Sequence, residues 1–174
     1  MHFVLCYPKF GPADREAVEA FRRVHEPARA KLVPAHVTLV FGVTSVSGQT
    51  VAALAKSVAD AHSPFDFAFD GLEVEAHEKG DHNLMLKVGE GRSRFIAMYD
   101  AFYGGPLAAE RRADIEFSPH LTIATDGNLE KVIAIAPNAK PLAAIKGRAE
   151  FLEVATLDGD RLHPIVTVAL GGGD

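Results

Sequence analysis

The sequence has no tryptophan and a single cysteine, Cys6. One thiol cannot close an intramolecular disulfide, and no C-x-x-C or Cys/His pattern exists that would hold a structural zinc. A reducing compartment, the cytoplasm, is the expected location. Long apolar runs are missing too. The opening stretch MHFVLCYPKF is too short to span a membrane and lacks the basic start and small-residue cleavage site of a secretion signal, so it reads as a first strand. Positive charge is in deficit: 18 Lys and Arg stand against 23 Asp and Glu, a formal net charge of −5. Coating nucleic acid or gripping double-stranded DNA needs a positive field, which this chain does not offer. A small anion held by a local cluster of donors stays open. G-x-S-x-G, G-x-G-x-x-G and P-loop signatures are absent, so acyl transfer, hydride transfer and nucleoside-triphosphate hydrolysis have no motif behind them.

What is present is an ordinary globular composition, 48% hydrophobic and 24% charged over 174 residues, enough for a sizeable core in one domain spanning 1–174. HFVLCY at 2–7 reads as a strand, and Ala17, Val18, Phe21 and Val24 recur at helical spacing between Ala13 and Lys31. HVTLVFGV at 36–43 is β-branched and strand-like. Ser47 is a candidate cap for a helix with Val51, Leu54, Ala55 and Val58 on one face. FDFAFDGLEVEA at 65–76 alternates as a half-buried strand, with Phe65, Phe67 and Phe69 inward and a candidate bulge at Gly71. After a turn at 79–83 come a strand LMLKV, a helix over 92–104, a strand IEFSPHLTIAT at 115–125 and a short helix opened by Asn128 with Leu129, Val132 and Ile133 inward. AEFLEVATL and HPIVTVAL flank DGDR as a closing hairpin, and the GGGD tail reads as frayed.

Two of these segments repeat one pattern. PAHVTLVFG at 34–42 and SPHLTIATD at 118–126 each give His, an apolar residue, Thr and another apolar residue, with His36 and His120 84 positions apart. Shifting the chain by that offset superposes the elements of two approximate halves, 1–78 and 79–174. In a strand, residues i and i+2 share a face. His36 and Thr38 therefore point one way while Val37, Leu39 and Phe41 point the other, and His120 and Thr122 oppose Leu121 and Ile123. Two lobes related by a two-fold axis would bring both imidazoles and both hydroxyls to one groove. A neutral imidazole takes a proton from water or a ribose hydroxyl, and a protonated one gives a proton to a leaving oxygen. The threonine hydroxyls would hold non-bridging phosphate oxygens between them. That set suits in-line chemistry at a phosphodiester.

The paired HVTL and HLTI motifs resemble the signature of the 2H phosphoesterase superfamily, which includes 2′-5′ RNA ligase-like proteins and cyclic nucleotide phosphodiesterases. The resemblance extends over nearly the whole chain in length, element order and motif separation. It implies an α+β fold, bilobal, with antiparallel sheets lining a central groove and helices packed outside. It also implies metal-independent opening of 2′,3′-cyclic phosphates to 2′-phosphates, or hydrolysis of 2′-5′-linked ribonucleotides. Carried over by motif position, His36 and His120 become the acid/base pair, with His36 leaning to acid and His120 to base, and Thr38 and Thr122 become the phosphate holders. No cofactor is implied. The expected ligand is a small nucleotide or an RNA terminus. A 2′-5′ RNA ligase and a non-catalytic nucleotide- or RNA-end-binding module are the competing readings. Thr125 and Asp126 stand where ligase-type relatives often carry a basic residue, which weighs against the ligase.

Tyr7, at the end of the first strand, is a candidate to stack a nucleobase; core or rim packing is the plainer reading. Arg112, beside Arg111 just upstream of the second motif, is a candidate anion guide; a solvated loop pair is the plainer reading. The other histidines, His2, His25, His62, His77, His82 and His163, lack a Thr partner and read as surface or half-buried side chains. No metal site is expected, because no paired helical histidines or carboxylate companions occur. A monomer is expected, since two lobes already supply the pseudo-dimer.

Overall fold

The computed structural model describes residues 1–76 and 80–171. Among them run β1 (His2–Cys6), α1 (Pro12–His25), α2 (Pro27–Leu32), β2 (Val37–Val43), α3 (Gly48–Ala61), β3 (Phe65–Ala76), β4 (His82–Val88), α4 (Arg92–Tyr103), β5 (His120–Asp126), α5 (Leu129–Ile135), β6 (Lys146–Ala149), β7 (Phe151–Asp158) and β8 (Arg161–Ala169). Short 3-10 segments occupy Ala108–Glu110 and Ala136–Ala144. The strands form two four-stranded sheets, β2-β1-β7-β8 and β5-β4-β3-β6. Every pairing is antiparallel. The fold is the expected bilobal α+β arrangement, with helices outside a central groove.

Each sheet draws on both halves of the chain. β1 and β2 pair with β7 and β8 from the second half, while β3 from the first half joins β4, β5 and β6. The repeat reaches to single residues. In the first sheet Val4 pairs with Val40 and Leu5 with Thr38, so Leu39 is an extra residue. In the second, Leu84 pairs with Ala124 and Met85 with Thr122, so Ile123 is extra. Each His-x-Thr strand thus carries a bulge directly after its threonine, and each bulge buries two consecutive residues, Leu39 and Val40 or Ile123 and Ala124. The parity flips beyond it, which corrects the placing of Phe41: it is 49% exposed instead of facing the helices. A second register shift follows in β2, where Gly42 takes φ +64°. A side chain there would be strained and would crowd Phe3.

The phenylalanine stripe is core. Phe65, Phe67 and Phe69 are all buried, and Phe65 and Phe67 meet the edge or face of Phe95 from α4 at 5.0 and 5.2 Å. α4 contributes Met98, Tyr99 and Phe102 as well. Gly91 opens that helix at φ +80°, and a Cβ there would lie 2.7 Å from the Cβ of Phe67. Ser47 caps α3 by accepting from the Thr50 amide, and Asn128 caps α5 by accepting from Glu130 and Lys131. The register shift at Gly71 is also present.

Other expectations fail for identifiable reasons. The helix expected over 13–31 breaks at Glu26, because Pro27 removes a backbone donor and disfavours helical geometry in the residue before it. Its inward face is also different: Ala17 and Val24 are exposed, Val24 to 71%, and Arg22 is buried. Strand β5 begins at His120 instead of Ile115, since Pro119 has no N–H to give a ladder. AEFLEVATL is two strands. Ala149 ends β6 against Phe65 of β3, and after the single residue Glu150 the chain pairs Phe151 with Ala169 in the other sheet. On α5 only Val132 is buried, while Leu129 and Ile133 are exposed. The turn at 79–83, His77 and the GGGD tail fall wholly or partly outside the described residues.

Candidate functional site

The two histidines are held in the same way. His36 Nδ1 donates to the carbonyl of Pro34 at 2.7 Å, and His120 Nδ1 donates to the carbonyl of Ser118 at 2.8 Å. A carbonyl only accepts, so the ring hydrogen sits on Nδ1 in both. Nε2 is then the atom that gains and loses a proton, and both rings present it in one tautomer. Both side chains are half-buried, as are Thr38 and Thr122.

Burial is the largest influence on either imidazole. It holds His36 down to about 4 against the opposing bond to Pro34, with Arg22, His120 and Arg29 adding positive charge in the same direction. His120 is likewise lowered by burial and by Lys87, opposed by the Ser118 carbonyl and by Glu75 and Glu73. The motif strands β2 and β5 are edge strands of the two sheets and contact each other, which brings the two motifs to one seam. Both imidazoles are thereby biased toward the neutral form, and a bound phosphate would pull either toward the protonated form.

Around this pair the sheets repeat a row of three residues. Thr38, Leu5 and Glu153 lie side by side across β2, β1 and β7, and Thr122, Met85 and Glu73 lie side by side across β5, β4 and β3. Leu5 and Met85 are buried and form apolar floor beside each threonine. Two residues beyond Leu5 and Met85 stand Tyr7 and Lys87. The Tyr7 hydroxyl donates to Glu153 Oε1 at 3.0 Å, and its ring meets His36 edge-on at 6.3 Å between centroids. Burial and then Glu153 push the Tyr7 phenol up, so it remains a neutral donor. Lys87 Nζ lies 3.0 Å from Glu73 Oε2, and Lys87 is the register partner of His120.

The loop before His36 has its own clamp. Arg22 Nη2 donates to the Val33 carbonyl at 3.0 Å, and the Ala35 amide donates to Glu19 Oε1 at 2.7 Å. These bonds bracket Pro34, whose carbonyl orients His36. Arg22 is 1% exposed and is neutralised by Glu19 and Glu26. On the other side the corresponding support is backbone: the Val88 amide donates to the Pro119 carbonyl at 3.1 Å.

Sequence reasoning put His36, Thr38, His120 and Thr122 on equivalent strands and singled out Tyr7 at the end of the first strand; in the structure the two motif strands β2 and β5 contact each other, and Tyr7 lies edge-on to His36. Arg112 stands apart. It is exposed, forks onto Asp114 at 3.1 and 3.0 Å, and lines a cavity of about 300 Å³ with Phe117 and Asp100, which does not include the histidines. A second cavity of about 410 Å³, between the α1–α2 corner and α5, also excludes them. Glu19, Arg22, Lys87, Glu73 and Glu153 were missed. A signal existed for the first two, since Glu19, Arg22 and Glu26 share one helical face; the others carry none outside the sheet register. Among the described residues no group of three or more His, Cys, Asp or Glu side chains is arranged to hold a metal ion, and no helix is long and apolar enough to cross a membrane.

The family model of the 2′-5′ RNA ligase superfamily matches residues 10–167. Among solved structures, TT0787 of Thermus thermophilus is similar at 19% identity and a TM-score of 0.63, covering 99% of each chain. LigT of E. coli in apo form is similar at 17% identity and 0.59, covering 97% of this chain and 96% of LigT, and the same protein has been crystallised with 3′-AMP. Usb1 of Kluyveromyces marxianus is similar at 12% identity and 0.61, covering 97% of each chain. A search of curated protein sequences gives no significant match.

Proposed function

This chain belongs to the 2′-5′ RNA ligase superfamily, and on that footing we propose that it is a metal-independent phosphodiesterase that opens 2′,3′-cyclic phosphates to 2′-phosphates or cleaves 2′-5′-linked ribonucleotides. One observation carries the reading: two imidazoles bonded alike to a backbone carbonyl, each with a threonine two residues on, repeated on the contacting edge strands of the two sheets. A binding module has no use for two proton-exchanging groups on either side of an anion. The 3′-AMP crystallised with LigT is consistent with a ligand of this class.

In the cyclic-phosphate reaction His120 acts as base and His36 as acid. Thr38 and Thr122 donate to the non-bridging oxygens and hold the phosphorus between the two Nε2 atoms. His120 Nε2 accepts a proton from water as its oxygen bonds to phosphorus. The O3′–P bond breaks on the opposite side, and protonated His36 gives its Nε2 hydrogen to O3′. The 2′-phosphate leaves, and one proton passes from His120 back to His36 through solvent. Lys87 beside His120 favours the neutral form that a base needs. Each proton transfer is worth on the order of 10²–10⁴ in rate.

The test is hydrolysis of a panel of nucleoside 2′,3′-cyclic phosphates and a 2′-5′-linked dinucleotide in EDTA, with product isomers resolved. Turnover that survives the chelator supports the reading. Loss of activity in EDTA overturns the metal-independent mechanism, and tight binding without turnover of any substrate identifies a binding module.

A further inference from the structure

The two-fold frame of the groove is broken at one pair of positions. Tyr7 and Lys87 occupy equivalent places two residues beyond Leu5 and Met85, each tied to the glutamate of the neighbouring strand, Glu153 or Glu73, at 3.0 Å. One is a flat neutral ring beside His36. The other is an ammonium on the His120 side with only 18% of its side chain exposed. We infer that Lys87 is a further substrate-contacting residue that binds a second anionic group, the phosphate on the 5′ side of the reacting nucleotide, so that the groove takes phosphorylated or oligonucleotide ends in one direction, base toward Tyr7 and 5′-phosphate toward Lys87. This rests on the phosphodiesterase reading for the identity of the reacting group.

Position argues for a second anion. The reacting phosphorus belongs between the two histidines and the two threonines. Lys87 lies one strand over from His120, a spacing of about 4.8 Å, and its ammonium is paired with Glu73 on the strand beyond, so it stands to one side of that centre. Glu73 does not cancel it. That carboxylate is 51% exposed, and water and salt screen such a pair strongly. Glu73 holds the ammonium in place, and a phosphate dianion, carrying more charge, displaces it. The ammonium has Glu73 of β3 on one side and His120 of β5 as the register partner of its residue on the other. The first sheet offers a ring and a hydroxyl at the equivalent place, suited to a base instead of an anion.

The experiment compares adenosine 2′,3′-cyclic phosphate with its 5′-phosphorylated form in wild type, Lys87→Arg, Lys87→Met and Glu73→Gln. The readout is the ratio of kcat/KM between the two substrates, which a general loss of folding or activity does not move. A preference for the 5′-phosphorylated substrate on the order of tenfold is expected in wild type, from one charge-assisted contact. It should persist in Lys87→Arg, grow in Glu73→Gln, weaken with salt and vanish in Lys87→Met. A wild type without preference, or a Lys87→Met variant that keeps it, overturns the inference. Should wild type turn over neither substrate, the phosphodiesterase reading has failed separately. Calorimetry with adenosine 2′-phosphate and adenosine 2′,5′-bisphosphate then reads the same contact: a bisphosphate advantage abolished by Lys87→Met supports it, and equal affinities overturn it.

Discussion

The His36 side and the His120 side of the groove share a backbone plan and differ in what supports it. Both have a histidine bonded to a carbonyl two residues back, a threonine, a bulge and a glutamate two strands away. Yet the loop before His36 is fixed by a buried charge network from α1, and the loop before His120 by a backbone bond from β4. The contact residue beside one is Tyr7 and beside the other Lys87. Features on which the proposed proton chemistry depends are duplicated. Features that set direction and attachment are not. A two-fold frame supplies two equivalent groups, and only a departure from it can tell the two ends of a substrate apart.

The comparison can be broken first at the histidines. His36→Ala and His120→Ala should each lower kcat by at least about a hundredfold in the cyclic-phosphate assay. A substrate whose 3′ oxygen is replaced by sulfur leaves without a proton. It should rescue His36→Ala and leave His120→Ala impaired; the reverse pattern would exchange the two roles. Thr38→Ala and Thr122→Ala come next. Each removes a donor to a charged oxygen, worth about 1.5–3 kcal/mol, so kcat/KM should fall on the order of ten- to a hundredfold.

The loop supports should then separate the sides. Glu19→Ala strands the Ala35 amide and leaves Arg22 less neutralised, and a stability loss of about 1–3 kcal/mol is expected by urea denaturation. Activity should fall beyond what stability explains, because Pro34 no longer sets the ring of His36. Glu19→Gln keeps an acceptor and should recover most of the orientation. Acidification tests the same side. His36 is held to about 4 when folded and titrates near 6.5 when unfolded, so the unfolded chain takes up the proton first. Stability should decline as pH falls from about 6.5 toward 4. The kcat/KM profile of the free enzyme should peak on the acid side of 6.5, and phosphate binding should move the kcat profile upward. The smallest effect belongs to Arg112→Ala. Arg112 and its partner Asp114 are both exposed and the cavity they line excludes the histidines, so the cyclic-phosphate assay should barely change.

Much of this was legible in the linear chain. Alternation gave the Phe65, Phe67 and Phe69 core stripe, Ser47 and Asn128 announced helix starts, and two short polar patterns pointed to one groove. Each signal is local, carried by the period of a strand or the reach of a capping side chain. Lys87, Glu73 and Glu153 were invisible for the opposite reason. They meet the motifs only through strand register, and register depends on which strands pair and where the bulges fall. Arg22 carried a signal in the helical face it shares with Glu19 and Glu26, but an arginine at helical spacing reads as surface until a loop carbonyl and two carboxylates are seen to satisfy it in the interior.

By itself, then, the sequence determined the alternating strands, the helix caps and the twin His-x-Thr signature, because these follow from short-range geometry and side-chain chemistry. Tertiary structure alone decided that Glu150 carries the chain from one sheet to the other, that β3 and β7 exchange between halves, and that a tyrosine and a lysine stand in equivalent places beside the two histidines. Those are outcomes of long-range pairing, where the energy of closing a sheet and burying its face outweighs any local preference.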